Sequence, residues 1–236
     1  MGTWLKRFSI LALLGFPIAL LLKRSGVIEF GQAFNIIAAS LILALVVLVL
    51  GLIVAYWQRS SNPNSSRAAK LASLISLIPL LGIGAQIFTA QNLPKIHNIS
   101  TDTVNPPQFV KIEQMRGKDD NPLAYDTAEL AEQQIAAYPM IKTLQTSLSK
   151  EDAYKRSLSI AEALGWQIIN EDAVMGIVEA TDTTALWGFK DDVVIRISET
   201  SNSVNIDLRS VSRIGLSDLG ANAKRIKKFI DAFQSS

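Results

Sequence analysis

An uncharged run of 25 residues, Ala33–Trp57, sets the first limit on what this chain can be. As an α-helix it is about 37 Å long, more than the roughly 30 Å hydrocarbon core of a bilayer, so it spans a membrane with some tilt. Leu71–Ala90 is a second uncharged run, of 20 residues. It contains Pro79, Gly82 and Gly84, which a membrane helix tolerates where neighbouring helices cover its backbone. A third apolar stretch, Phe8–Leu22, lies between Lys6-Arg7 and Lys23-Arg24. A signal-peptide core has the same look, but Leu20–Arg24 offers no small-x-small cleavage site, and outward-reaching Lys and Arg extend the apolar reach to Trp4–Leu22. The expected anchor is 1–90, with spans at 4–22, 33–57 and 71–90.

Charge divides the chain at the same place. Residues 1–90 carry seven Lys/Arg against Glu29 alone, a net of +6, whereas the remaining residues of the 236 carry sixteen against twenty, a net of −4. The two parts face different solvents. The N-terminal tail and the second loop hold Lys6, Arg7, Arg59, Arg67 and Lys70, while the first loop holds Lys23 and Arg24. The positive-inside rule therefore predicts a cytoplasmic N-terminus and a C-terminal part outside, periplasmic in a Gram-negative inner membrane. No Asp, Glu, Lys, Arg or His lies within Phe8–Leu22, Ala33–Trp57 or Leu71–Ala90, which argues against ion-coupled transport and a channel. Asn35, Ser73, Ser76 and Gln86 are the polar exceptions, and interhelical hydrogen bonding is their expected role. The chain has no cysteine, so a disulfide scaffold, a thiol nucleophile and a thiolate zinc site are excluded.

Residues 91–125 are rich in Pro, Asn and Asp and read as an extended strap, with Pro106–Ile112 apolar enough to clamp onto the following domain. In 126–236 a helix is expected over Thr127–Tyr138, capped by Asp126 or Thr127 and stopped by Pro139. A second starts at Ser149 and closes at Gly165. Four strands follow, at Trp166–Asn170, Val174–Thr181, Val193–Glu199 and Val204–Ser210, with a turn at Glu171-Asp172. Counting back from the Thr200–Ser203 turn pairs Ile197 with Ile206 and Arg196 with Asp207. Ser217 is the expected cap of a last helix whose apolar face runs Leu219, Ala223, Ile226, Ile230, Phe233, with Lys224, Arg225 and Lys228 pointing away. The fold class is membrane plus α+β: three transmembrane helices, then a two-layer domain with an antiparallel four-stranded sheet, helices on one face and a polar opposite face.

The densest polar segment at an element junction is Leu208–Asn222. Arg209, Ser210, Arg213, Ser217 and Asn222 stand beside the start of a helix, where unpaired N–H groups favour an anion such as the phosphate of a lipid or glycan. The competing reading is structural, with Arg209 paired to a strand neighbour and Ser217 and Asp218 acting as caps. Asp182, Asp191 and Asp192, with Glu179, form a candidate acidic cluster, but their spacing matches no calcium loop and reads equally as a turn entering a strand. His97 is the sole histidine, which rules out a multi-histidine zinc site, and no G-x-S-x-G elbow is present. Trp187, Gly188 and Phe189 either touch a partner or close one end of the core, and the basic face of the last helix either leans on anionic headgroups or is simply solvated. No Walker loop or dinucleotide fingerprint occurs, and the negative C-terminal half argues against nucleic acid. No catalytic residue, cofactor or metal is assigned.

The ordered motifs Ser100-Thr101-Asp102, Asn105-Pro106-Pro107-Gln108-Phe109, Ala137-Tyr138-Pro139, Glu179-Ala180-Thr181-Asp182, Gly188–Val193 and Arg209–Arg225 together resemble the bacterial domain-of-unknown-function family fourteen-ninety-nine. The resemblance covers roughly residues 95–233; Ala185-Leu186-Trp187 departs from it where an aromatic pair is expected. It implies little about activity and points to envelope proteins that are often membrane-anchored or lipid-anchored. The expectation is thus an inner-membrane protein presenting a periplasmic, non-catalytic binding or assembly module, its partners the bilayer and an envelope lipid, glycan or protein. The alternative is an enzyme acting on an anionic lipid or glycan through Arg209 and Arg213.

Overall fold

The computed structural model describes residues 1–91, 93–125 and 127–235, and divides the chain into two units, before and after Asn92. The first is three helices, α1 (Gly2–Arg24), α2 (Phe30–Trp57) and α3 (Pro63–Ala90), each long and apolar enough to cross a bilayer. All three begin earlier than their apolar runs, and two have a clear start signal. Glu29 and Gln32 form a reciprocal capping box that starts α2 at Phe30. Asn62 accepts a hydrogen bond from Ser65 N at 3.0 Å, and Pro63 occupies the first helical position, so α3 takes in Arg67 and Lys70.

Small residues bring the three helices together. A Cβ at Gly15 would lie 1.7 Å from Ser40 Oγ, and one at Gly51 would lie 2.3 Å from Ser73 Oγ, so the contacts require glycine. Ala12, Ala19, Ala44, Ala69 and Ala72 fill the remaining interface. In a hydrocarbon solvent, close backbone approach of this kind replaces the hydrophobic effect as the source of association. Ser66 Oγ donates to Ala55 O at 2.7 Å, and Ser73 Oγ donates to Leu48 O at 3.3 Å and to Ala69 O at 3.2 Å. The expected interhelical role thus falls to Ser66 and Ser73. Asn35 and Gln86 are exposed instead, and Ser76 Oγ is buried with no partner among the described residues.

The second unit contains β1 (Asn98–Ser100), α4 (Ile112–Met115), α5 (Thr127–Ala137), β2 (Leu144–Thr146), α6 (Lys150–Ala163), β3 (Gln167–Asp172), β4 (Ile177–Thr183), β5 (Lys190–Glu199), β6 (Val204–Ser212) and α7 (Ala221–Ser235). The sheet is antiparallel and has six strands, not four. Its order is β1-β6-β5-β4-β3, and β1 and β2 share the free edge of β6, pairing with its two halves through Ser100↔Arg209 and Leu144↔Ile206. Three residues each, they are too short to show an alternation. What recruits them is the row of open backbone groups along nine-residue β6. The β5–β6 register has Ile197 opposite Ile206 and Arg196 opposite Asp207, as counted from the turn.

Between β3 and β4 the turn is 173–176 rather than Glu171-Asp172. Gly176, at φ 71°, makes the reversal, and Asp172 Oδ1 accepts from Met175 N at 2.8 Å. Val174, expected in a strand, is exposed at the turn. Ser149 caps α6 through Asp152 N, and Gly165 follows it at φ 81°. The expected cap of α5 at Asp126 or Thr127 lies outside the described residues and side chains.

One sheet face carries the main core: Val193, Ile195, Ile197, Ile206 and Leu208 pack with Tyr154 and Ile160 of α6 and Ile226, Phe229 and Phe233 of α7, and Trp166 stacks on Phe229 at 5.8 Å. The opposite face is not the polar surface expected. Val194 and Val211 bury a second cluster there with Phe109 and Ile112 of the strap, flanked by Leu123, Ile169 and Ile177. A strand apolar on both faces, as Val193-Val194-Ile195 is, needs cover on both.

Candidate functional site

Successive residues of a strand point to opposite faces, and this decides what the polar side chains of β4, β5 and β6 can do together. On the strap face, Asp192 of β5 is fully buried. Its Oδ1 accepts from Thr181 Oγ1 at 2.8 Å and Arg213 Nη2 at 2.9 Å, and its Oδ2 accepts from Arg213 Nε at 3.0 Å and Arg116 Nε at 2.9 Å. The fork-to-fork pairing with Arg213 holds that guanidinium charged, its pKa raised by the carboxylate. Arg116 also donates to Val211 O at 3.0 Å and to Asn121 O. Every acceptor position of Asp192 is filled from within the chain.

Arg209 stands on the same face and is 1% exposed. It donates from Nε to Asn98 Oδ1 at 3.1 Å, from Nη1 to Pro107 O at 3.1 Å and from Nη2 to Leu123 O, and lies over the rings of Phe109 and Tyr125 at 5.4 and 5.6 Å. Burial without a carboxylate partner lowers its pKa to about 10, and burial pushes the Tyr125 hydroxyl up to about 12. Glu179, fully buried, accepts from Val110 N at 2.6 Å and Lys111 N at 2.8 Å. Arg196 joins Asp102 of the strap to Asp207, each at 2.9 Å.

The helix face holds a separate network around Arg225, which is 5% exposed. It donates to Asp182 Oδ2 at 2.6 Å, Asp191 Oδ2 at 2.5 Å, Ser210 Oγ at 3.0 Å and Asn222 Oδ1 at 2.5 Å. Asn222 donates to His97 O at 3.0 Å and Ser212 Oγ at 2.9 Å. Asp218, not Ser217, caps α7, accepting from Gly220 N at 2.8 Å and Asn222 N at 2.9 Å; burial raises its pKa. Ser217 Oγ accepts from Leu219 N and donates to Pro94 O, both at 3.3 Å.

The five residues of the expected anion site therefore do not converge. Arg209 and Arg213 serve the strap face, Ser210 and Asn222 meet at 2.7 Å on the helix face, and Ser217 ties the turn before α7 to Pro94. The acidic cluster divides the same way, since Asp182 and Asp191 pair with Arg225 while Asp192 pairs with Arg116 and Arg213. Among the described residues no group of three or more His, Cys, Asp or Glu is placed to hold a metal ion. Trp187 stacks on Phe189 at 6.2 Å in the β4–β5 connection. Lys224, Lys227 and Lys228 of α7 are exposed.

Two arginines organise these networks, Arg116, which the sequence does not mark, and Arg225, which was expected to point away from the core with Lys224 and Lys228 and is buried instead. Arg116 had no signal beyond being a lone arginine in the strap. Arg225 had one: Asn222, Arg225, Ile226 and Phe229 follow the i, i+3, i+4, i+7 spacing of a buried helix face, so Arg225 turns inward rather than away. The chemistry of the whole arrangement is that of a clasp, in which buried charges on the sheet hold the strap at residues 98, 102, 107, 110, 111, 116 and 123. A family model described as "Protein of unknown function (DUF1499)" matches residues 98–233. No curated protein matches the chain. The matched region takes in the strap from Asn98 onward and the whole sheet, and the chain belongs to this DUF1499 family.

Proposed function

We propose that this chain is an integral inner-membrane protein that holds a non-catalytic binding or assembly domain on the periplasmic side. The observation that carries the reading is the saturation of the charged groups. Arg116, Arg209, Arg213 and Arg225, with Asp191, Asp192 and Glu179, are each hydrogen-bonded within the chain and mostly sealed from solvent. A catalytic or anion-binding site needs donors aimed at open space. The alternative, an enzyme using Arg209 and Arg213 on an anionic lipid or glycan, has no support in this geometry. The anchor and orientation rest on α1–α3 and on the basic residues flanking them.

Two measurements test this. In intact cells, a membrane-impermeant maleimide should label a Val174→Cys variant of the cysteine-free chain once the outer membrane is permeabilised; labelling only after the inner membrane is broken would reverse the orientation. Native mass spectrometry of the full chain, wild type beside Arg213→Ala, should show no anionic ligand that depends on the arginine. A co-purifying phosphate-bearing lipid or glycan lost in Arg213→Ala would restore the anion site.

A further inference from the structure

The sheet has two ends, and the chain enters the domain at only one of them. Residues 93–97 run against the turn between β6 and α7: Ser212 N donates to His97 O at 2.9 Å, Asp218 N to Ile96 O at 3.2 Å, and Ser217 Oγ to Pro94 O at 3.3 Å. That turn, 213–219, carries three apolar side chains in solvent: Leu216 at 82% exposure, Leu219 at 54% and Ile214 at 41%. The β4–β5 connection reaches the same end, because Arg213 N donates to Lys190 O at 3.1 Å, and it adds Leu186 at 48%.

We infer that this end of the domain is a lipid-docking surface, with Leu216, Leu219 and Ile214 seated at the boundary between phospholipid headgroups and acyl chains. The inference rests on the reading of α1–α3 as membrane spans and adds a partner for the domain.

Three observations carry it. The tether is short: α3 ends at Ala90 and the turn's backbone partners begin at Pro94. Four Cα steps reach at most about 14 Å even when fully extended. The headgroup layer is about 5–8 Å thick on each side of the hydrocarbon, so a surface held this close to the end of a span meets it. Second, the turn is built to present its leucines. Leu219 takes φ 51°, a left-handed conformation disfavoured for this side chain, and Asp218, Ser217 and Asn121, which donates to Gly215 O at 2.9 Å, fix the backbone on either side. Third, exposed Lys95, Lys190 and Lys224 rim the patch, where amines meet lipid phosphates. Asp119 and Asp120 in the neighbouring 117–120 turn offset two of these charges, so the apolar side chains carry the docking and zwitterionic lipid suffices.

The test uses the full chain in nanodiscs of zwitterionic phosphatidylcholine. Because the protein has no cysteine, nitroxide labels go singly onto Leu216→Cys, onto Val174→Cys at the opposite end of the sheet, and onto Leu45→Cys on the exposed side of α2. Relaxation by lipid-soluble oxygen is compared with relaxation by a water-soluble nickel chelate. The Leu216 label should favour oxygen several-fold more than the Val174 label, approaching Leu45. A Leu216 label that behaves like Val174, beside a lipid-exposed Leu45, overturns the docking and leaves the spans standing. A Leu45 label in water overturns the spans, and the docking with them.

Discussion

The helical unit and the α+β unit solve the same packing problem with opposite materials. Between α1, α2 and α3 the contacts are glycine, alanine and serine, with backbones so close that Gly15 has no room for a Cβ beside Ser40. Around the sheet they are Ile, Val, Phe and Trp, interrupted by buried arginines with saturated partners. Water supplies the difference. Removing apolar surface from water drives the domain together and leaves enough stability to bury charge, provided each charge is paired. Helices apolar enough to cross a bilayer would find no such drive in lipid, and these rely on close fit and keep formal charge out of their interface.

The sharpest way to break this comparison is at Asp192. Asp192→Ala leaves Arg116 and Arg213 buried without their carboxylate, and the domain should lose about 3–5 kcal/mol of stability. Chemical unfolding of the full chain in detergent, read by the accessibility of the strap to protease, measures it. A loss below about 1 kcal/mol, within the range of exposed ion pairs, would mean the clasp is open to solvent. Next in size is the helical interface. Gly15→Leu forces α1 from α2 and should cost about 1–3 kcal/mol, whereas Gly82→Leu, whose Cβ meets nothing within 4 Å, should cost nothing. Thermal melting of both variants in the same detergent distinguishes a fitted interface from a loose one, and equal melting points would sink the small-residue argument.

The smallest effect expected is at His97. Its pKa is lowered chiefly by burial and further by the charge of Arg116, against the opposing pull of its bond to the Leu216 backbone and of Asp218. With the folded pKa below the unfolded value of 6.5, the unfolded chain takes up the proton first. The contribution is therefore complete above pH 6.5 and is lost as pH falls through that value towards the folded pKa. His97→Gln should flatten the decline in melting temperature between neutral pH and pH 5. An unchanged slope would assign the decline to the carboxylates.

How far the sequence could be read depended on whether a residue's environment was local. The three helices are legible from apolar runs; the first two turns of α3 are not, because Arg67 and Lys70 read as loop, and the signal that starts them is Asn62-Pro63. The four long strands and the Ile197–Ile206 register followed from alternation and turn length. β1 and β2 did not, since a three-residue strand has no pattern of its own and exists because β6 offers it an edge. The residues of the expected anion site are dispersed for a related reason. Arg209 and Ser210 are neighbours in sequence and strangers in space, on opposite faces of one strand, and the partners that occupy them come from the strap and from α7.

By itself, then, the sequence determined where the apolar and the charged parts of this protein lie, because hydropathy and charge act residue by residue: three helices apolar enough to cross a bilayer, then an alternating and charged domain. Only the tertiary structure decided what the charges are for. Pairing Asp192 with Arg116 and Arg213, and Arg225 with Asp182 and Asp191, closes distances of up to 76 residues along the chain. A contact of that range is fixed by which faces of the sheet the strap and the last helix cover, and no local pattern records it.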